Sequence, residues 1–482
     1  MRKEIIFLMA KQFWRNTFKS KAIYFLLAVF AALLVYAAYN GYKYYTVQND
    51  IRATYQKNAR KSWEDNPDKH PHRMAHFGSF AFRVKHKLSM FDFGMESFTG
   101  NAVFLEAHKQ NTVNFSEASF STGLLRFGEI SMAMLLQIIL PLIIFFLGFG
   151  AIASEKENGT LKVLLNQGAS WKEIIIGKSV ALMCIALLFY IPAVLAIVIQ
   201  LCITNNASAG SNDLVRVISI ASVYTVFLWV MCVIAVSVSA ISKTAKEALL
   251  KLLGIWLLFA ILLPKTMQAA GSYFFPSPSK FEFEAAVEKD LIKEGDSHNP
   301  DDPHFKAIKD SLLRAYKIDS VQQLPFNYGG YLNIVGEQLS TKIYNRHLSV
   351  LNYTFQKQNN FSRLASFINP VNAVKDFSMA YAGTDFAAYT HFQQQAEAYR
   401  YNLAQAMNTL QKDYISNKKQ LETDKPYTVS HNHWSAFPDF ECRFLRINEV
   451  FKTSAISLAA IAVWMFLSVL FISIVSKKAK AI

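Results

Sequence analysis

Four cysteines in 482 residues cannot build a disulfide framework, and Cys184, Cys202 and Cys232 lie inside apolar runs, leaving only Cys442 in polar surroundings. Charge is also scarce. Asp, Glu, Lys and Arg make up 18% of the chain, against about 25% in soluble proteins, while Phe (39) and Tyr (21) are abundant. A disordered chain and a purely soluble domain are both excluded. There is no internal repeat and no low-complexity tract. A nucleotide cradle is missing as well. Gly177-Lys178-Ser179 imitates the end of a P-loop, but the first glycine of G-x-x-x-x-G-K-[ST] would fall at Lys172, and the triplet opens an apolar run instead of following a strand.

Long apolar runs are what the chain does have. Six can cross about 30 Å of hydrocarbon at 1.5 Å per residue: 22–40, 130–153, 179–203, 217–241, 248–270 and 453–475. The fold class expected is an all-α membrane protein, six transmembrane helices with a largely helical extracytoplasmic module. The first run is longer than a signal-peptide core and reads as an uncleaved helix. Lys251 snorkels from the fifth, and Pro141 and Pro192 are expected to kink the second and third, with neighbouring helices satisfying the freed carbonyls.

The basic residues fix an orientation. Arg2, Lys3, Lys11, Arg15, Lys19 and Lys21 precede the first run. Lys156, Lys162, Lys172 and Lys178 follow the second, Lys243 and Lys246 the fourth, and Lys477, Lys478 and Lys480 the sixth. The short loop 204–213 has none. Both termini are therefore expected in the cytoplasm, with two large segments, 41–129 and 271–449, outside and 476–482 as a cytoplasmic tail. Topology accounts for most of the net charge of +15, so no nucleic-acid partner is implied.

Residues 1–21 read as an amphipathic helix on the cytoplasmic surface: Lys11, Gln12, Arg15 and Lys19 gather on one side and Ile5, Ile6, Met9, Phe13 and Trp14 on the other. It is either an elbow tying the bundle to a cytoplasmic partner or a surface anchor. The loop 154–178 carries the sharpest local pattern. Glu155, Lys156 and Glu157 end the second span, Asn158-Gly159 is a turn pair, and Thr160 is expected to cap a short helix over 161–166 that Gly168 closes. Ser170 and Glu173 have capping-box spacing.

This run, E-x-E-x-G-T-L…L-x-x-G-x-S-x-x-E…G-K, resembles the permease subunits of ABC type-2 exporters. The resemblance implies that the loop is a coupling helix docking on an ATPase, with Glu155, Glu157, Gly159, Thr160, Leu161, Gly168, Ser170, Gly177 and Lys178 matching the pattern and Trp171 and Lys172 beside them. The stretches around His72, Arg73, His76 and Arg83, around Glu106 and His108, and around Gly383 and Asp385 look like a subgroup with large extracytoplasmic insertions. That subgroup is similar in plan to the permeases of nitrous-oxide reductase maturation and gliding. The resemblance implies a multi-pass protein of the bacterial inner membrane that is not itself an enzyme and holds no cofactor. ATP and magnesium would sit on a separate cytoplasmic ABC ATPase. The other partners implied are a second copy or related permease, membrane lipid and an envelope protein.

In the outer segments, Tyr389, Phe392, Ala396, Tyr399, Leu403, Ala406 and Leu410 repeat at spacings of three and four, and Tyr344, Leu348, Leu351 and Phe355 do the same. Two long antiparallel helices are expected, with Asn and Gln of the opposite face solvated. His70, His72, His76 and His86 crowd one stretch, with His108 beyond. His72 and His76 would share a helical face, but Pro71 and Gly78 speak against a regular helix, so no metal is assigned. Two other readings stay open: a metal-binding membrane enzyme built on these histidines, and a non-transporting envelope scaffold or sensor.

Overall fold

The structure, a computed structural model, describes residues 1–113, 116, 119, 129–204, 211–295, 302–418 and 426–479. The end of the first outer segment, the loop after the third span and Lys480 lie outside the described residues. Helix α1 (Lys3–Lys19) stops at Ser20, whose extended backbone breaks the run and whose hydroxyl accepts from Ala22 N at the start of α2 (Lys21–Glu64). Hydropathy ends the first span at Asn40, but α2 continues unbroken for about 35 Å beyond it. The apolar run marks where lipid ends, and nothing in 41–64 stops a helix. Gly41 serves a contact instead: a Cβ there would collide with Met90 O.

Helix α3 (Pro71–Phe77) follows. Pro71 occupies its first position, where the missing N–H costs nothing, His70 Nδ1 accepts from His72 N at 3.2 Å, and Gly78 ends it at φ +70°. The expectation that Pro71 and Gly78 would prevent a helix is therefore overturned: one starts it and the other stops it. Strand β1 (Ser79–Phe82) pairs antiparallel with β2 (Ala102–Leu105), Ser79 opposite Leu105. Between them Lys85 and Glu96 form a buried ion pair at 2.6 Å, with the ammonium 4.4 Å from the centre of the Tyr44 ring.

The remaining spans are α4 (Met132–Glu157), α6 (Trp171–Thr204), α7 (Ser211–Ile241), α8 (Ala245–Phe274) and α16 (Ala455–Lys478), with the short α5 (Thr160–Asn166) between α4 and α6. With α2, six helices among the described residues are long and apolar enough to cross a membrane. Six crossings would bring both termini to one side, the terminal side, and residues 41–129 and 271–449 to the other, the far side. α4 and α8 each contain a π turn, Leu135–Ile139 and Leu258–Leu262, just before Pro141 and Pro264. In the second turn the carbonyl of Phe259 would pair with the N–H that Pro264 lacks; Asn369 Nδ2 donates to it at 2.8 Å. Trp256 Nε1 donates to Ile138 O at 2.9 Å in the first. Neighbours thus satisfy the opened backbone, as apolar surroundings require. Pro192 sits inside a continuous α6. α7 is the central span, while only 11% of the apolar window of α8 is buried, which leaves that helix a wide face for lipid or another chain.

On the far side stand α9 (Lys280–Glu294), α10 (Pro303–Tyr316), α11 (Tyr328–Leu364), α12 (Pro370–Ala382), α13 (Phe386–Tyr414), α14 (Asn432–Ala436) and α15 (Ile447–Thr453). The end of α11 and the whole of α12 form a hairpin that dips between the spans. Trp464 Nε1, about 14 Å along α16 from its far-side end, donates to Ser366 O at 2.9 Å. α12 climbs back to the far side, where Arg216 Nη1 donates to Tyr381 O at 2.9 Å in its last turn.

α11 and α13 are antiparallel, as expected: Asn327 N donates to Lys412 O at one end and the Phe355 and Phe386 rings lie 5.8 Å apart at the other. Their interface is not the apolar seam. Phe392 and Ala396 of α13 pack on Ala81, Val103 and Leu105, and Leu403 and Met407 pack on Trp63, Met74 and Trp434. Tyr344 and Leu348 of α11 pack on Phe283 and Val287 of α9. Between α11 and α13 runs a polar ladder instead. Asn333, Asn408 and Gln411 are buried and bonded, not solvated: Asn333 Nδ2 donates to Gln411 Oε1 at 3.0 Å and Asn408 Nδ2 to Asn333 O at 3.2 Å. Periodicity identifies an apolar face but not what covers it.

Arg400 is the hub of that ladder. It is 1% exposed and reaches Glu337 Oε1 at 2.6 Å, both oxygens of Glu397 at 2.8 Å, Thr341 Oγ1 at 2.9 Å and Glu106 O at 3.2 Å. Burial by itself would raise the Glu337 carboxyl, but bonds from His108 and Arg400 outweigh it and hold it down to about 2. The folded value lies below the ordinary 4.5, so its contribution is present above pH 4.5 and is lost as pH falls through about 2. Glu337→Ala should destabilise the outer module by about 3–5 kcal/mol, because Arg400 loses a buried partner. Thermal unfolding of the solubilised protein should show this as a lowered midpoint. Between pH 5 and pH 3 that midpoint should fall more steeply in the native chain than in Glu337→Ala; parallel curves would exclude the pair as a source of stability.

Candidate functional site

On the terminal side, α4, α5 and α6 form a clamp. Gly159, at φ +72°, turns the chain out of α4 and caps α5, so Thr160 is the first residue of that helix and not its cap; its hydroxyl donates to Glu155 O at 3.3 Å. The other end is a Schellman motif, Gly168 N to Leu165 O at 2.9 Å and Ala169 N to Leu164 O at 3.1 Å, with Gly168 at φ +91°. Ser170 and Glu173 form the expected capping interactions at 3.0 and 3.3 Å. Leu161 is fully buried. Glu157, Asn158, Gly159, Thr160, Lys162, Val163, Asn166, Gly168, Ser170 and Lys172 are exposed, and Trp171 is half-buried.

Rigid links hold this surface to the spans. Lys178 Nζ, buried in α6, pairs with Glu155 Oε2 at 2.5 Å and donates to Ala151 O. Glu155 therefore turns inward to join α4 to α6, while Glu157 faces out. Lys156 donates to Ala240 O and, at 3.2 Å, to Ser242 O, satisfying the end of α7, and lies 5.6 Å from the centre of the Trp171 ring. α1 lies along α6: a Cβ on Gly177 would be 2.7 Å from both Ile6 O and Met9 Cβ. Arg2 secures its start, donating through its backbone N to Glu173 Oε1 at 2.7 Å and through its guanidinium to Glu173 Oε2 at 3.0 Å and to Gly168 O. Arg2 carries no sequence pattern that would have singled it out.

A second polar centre lies among the far-side ends of the spans. Gln137 Nε2 donates to Tyr224 Oη at 2.7 Å, Tyr224 to Ser378 Oγ at 3.1 Å, and Ser378 to Asp92 Oδ2 at 2.5 Å. All four are buried, and burial pushes the Asp92 carboxyl up. The chain links α4, α7, α12 and the first outer segment. Beside it opens a cavity of about 560 Å³ lined by Gln268, Gln358, Arg363, Asn372, Lys375 and Asp376. Arg363 pairs with Asp376 at 3.1 Å, and Ser457 donates to Asp376 at 2.5 Å.

The outer motif residues do not converge on this centre. Gly383, at φ +72°, ends α12, and Asp385 caps α13 through Ala388 N at 3.0 Å. Arg83 donates to Thr99 Oγ1 at 2.8 Å and faces the Tyr389 ring. Glu106 accepts from Asn111 Nδ2 at 3.0 Å, and Arg73 is exposed. His72, His76 and His108 do meet, some way from the spans, on the α11–α13 ladder.

A family model described as an ABC-2 family transporter protein matches residues 8–280, and one described as a domain of unknown function, DUF3526, matches residues 280–443. The chain belongs to the ABC-2 transporter permease family. It is thus a multi-pass membrane component of an ABC system, and that family implies a partner ATP-binding subunit. The boundary at 280 falls at the first residue of α9, behind the Ser279–Glu282 capping box. No curated protein matches the chain.

The seam between α1 and α6 of this permease is testable. Gly177→Leu should push α1 off α6 at a cost of about 1–3 kcal/mol. Met9, 3% exposed, is the reporter: Met9→Cys should resist a maleimide in the otherwise native chain and react readily alongside Gly177→Leu. Equal labelling of both would mean that α1 is not held by this contact.

Proposed function

We propose that this permease is the membrane subunit of an ABC exporter, driven by a separate cytoplasmic ATPase that holds ATP and magnesium and docks on α5. In this reading both termini face the cytoplasm of a bacterial inner membrane, the segments 41–129 and 271–449 stand outside, and a second copy or a related permease completes the transport path. The observation that carries it is the clamp. α5 presents Lys162, Val163 and Asn166 outward, while Glu155–Lys178, Lys156 and Arg2–Glu173 tie its flanks to α4, α6, α7 and α1. A push on α5 is transmitted to four helices instead of being absorbed by a loose loop. The basic residues of the terminal side support the orientation.

The far-side crevice receives the other half of the cycle. Its π turns, prolines and dipping hairpin are places where backbone bonds are already diverted to side chains, so the helices there can shift at lower cost than regular ones. The crevice mixes apolar and charged walls, which suits an amphiphilic cargo.

In membranes carrying the whole transporter, Val163→Cys should crosslink to the ATPase subunit, and Lys162→Cys should be labelled from the cytoplasmic side only. Labelling from outside would overturn the orientation, and a complex isolated without any ATPase would favour the scaffold reading. Glu157→Lys should weaken ATPase association by about tenfold, or ~1.4 kcal/mol, while leaving the permease folded. Glu155→Lys should also impair coupling, but through the broken pair, so that Glu155→Lys with Lys178→Glu recovers activity. No recovery would assign Glu155 to docking itself.

A further inference from the structure

The three histidines of the outer module form a constellation apart from the spans and from the clamp around α5. His72 and His76 stand one turn apart on α3, and His108 comes from the turn after β2, at a left-handed φ of +61°. The ring centroids are 4.7, 5.4 and 5.3 Å apart. Each offers a ring nitrogen, and these nitrogens lie within 4.8 Å of one another. Three imidazoles on one tetrahedral ion, with metal–nitrogen bonds of about 2.0–2.1 Å, place their centroids about 5 Å apart. The rings are already at that spacing, and the nitrogens need only small ring rotations to converge.

We propose that His72, His76 and His108 bind one first-row divalent ion of the zinc–copper class. The donor set argues for that class: three neutral imidazoles without thiolate or carboxylate suit zinc or copper(II) and disfavour magnesium and calcium. The surroundings argue for a built site. His108 Nδ1 lies 3.2 Å from Glu337 Oε2, and its backbone N donates to the same oxygen at 2.9 Å. Glu337 is fully buried and fixed in turn by Arg400. A carboxylate that accepts from Nδ1 leaves Nε2 as the ligand nitrogen and sets the ring's orientation, the usual support of a metal-bound histidine. Asn333 Nδ2 sits 3.1 Å from His72 Nδ1 and helps to fix the orientation of that ring. His76 is exposed, which gives the ion an entry route and leaves its fourth position to water or to a ligand from outside.

The ion would also have a mechanical consequence. Its ligands belong to the first outer segment, and their supports, Asn333, Glu337 and Arg400, belong to α11 and α13 of the second. Metal binding would therefore fasten the two outer segments to each other.

The test uses the full-length protein without an affinity tag, in detergent, stripped with a chelator and titrated with zinc against a chromophoric competitor. One equivalent should bind per chain. His76→Ala, at an exposed position, and His108→Ala should each cost more than the 10–100-fold expected for Glu337→Gln. Copper(II) in place of zinc should give an electron paramagnetic resonance signal with nitrogen splitting that disappears in the same variants. Loss of splitting with zinc affinity intact would assign copper alone. If neither metal binds, or if binding is unchanged in both histidine variants while they stay folded, the proposal is wrong. None of these readouts depends on transport or on the ATPase, so failure here leaves the proposed function standing, and failure of transport leaves the metal site standing.

Discussion

A polar group taken out of water must find its partner in protein, and most of this structure's unusual features are answers to that constraint. The buried ammonium of Lys178 is met by Glu155 and the Ala151 carbonyl. The carbonyl of Phe259, opposite a proline without an N–H, is met by Asn369. The last turn of α12 is met by Arg216, and the end of α7 by Lys156. Each answer joins two helices distant in sequence. Satisfying the polar groups and assembling the bundle are therefore the same event.

The constraint is met differently at the two ends of the bundle. On the terminal side the bonds are charge-assisted and short, and they surround α5 from both flanks. On the far side the π turns and the α11–α12 hairpin replace regular helix bonds with single side-chain donors. Under the proposed docking at α5, a push there would enter through this stiff clamp and be felt near the Gln137–Tyr224–Ser378–Asp92 chain. The module between α8 and α16 follows the same logic: its two long helices meet through Arg400, Glu337, Asn333 and Gln411 instead of through leucines, and the apolar seams are turned to other neighbours.

Much of the clamp around α5 was legible locally. The Asn158-Gly159 turn, the closing Gly168 and the Ser170–Glu173 spacing are short-range patterns whose geometry is decided within a few residues, and the structure builds all three. Thr160 missed by one position because Gly159 can take the left-handed turn and cap the helix itself. Glu155 and Glu157 look alike in sequence. Only the packing of α6 shows that one pairs with Lys178 and the other faces water. At α3, proline and glycine read as breakers along the chain, yet their positions, first and just past last, make them delimiters.

The sequence by itself determined six apolar helices and the existence of two long helices between the fifth and the sixth, because hydropathy and helical period act along the chain. Tertiary structure decided everything that depends on partners from elsewhere in the chain. It carried α2 well past the apolar run, sent the α11–α12 hairpin between the spans, and buried asparagines that local reading left in solvent. It brought His108 to His72 and His76. Those outcomes rest on contacts between residues far apart in sequence, and a one-dimensional pattern records which residues seek a partner but not which partner they find.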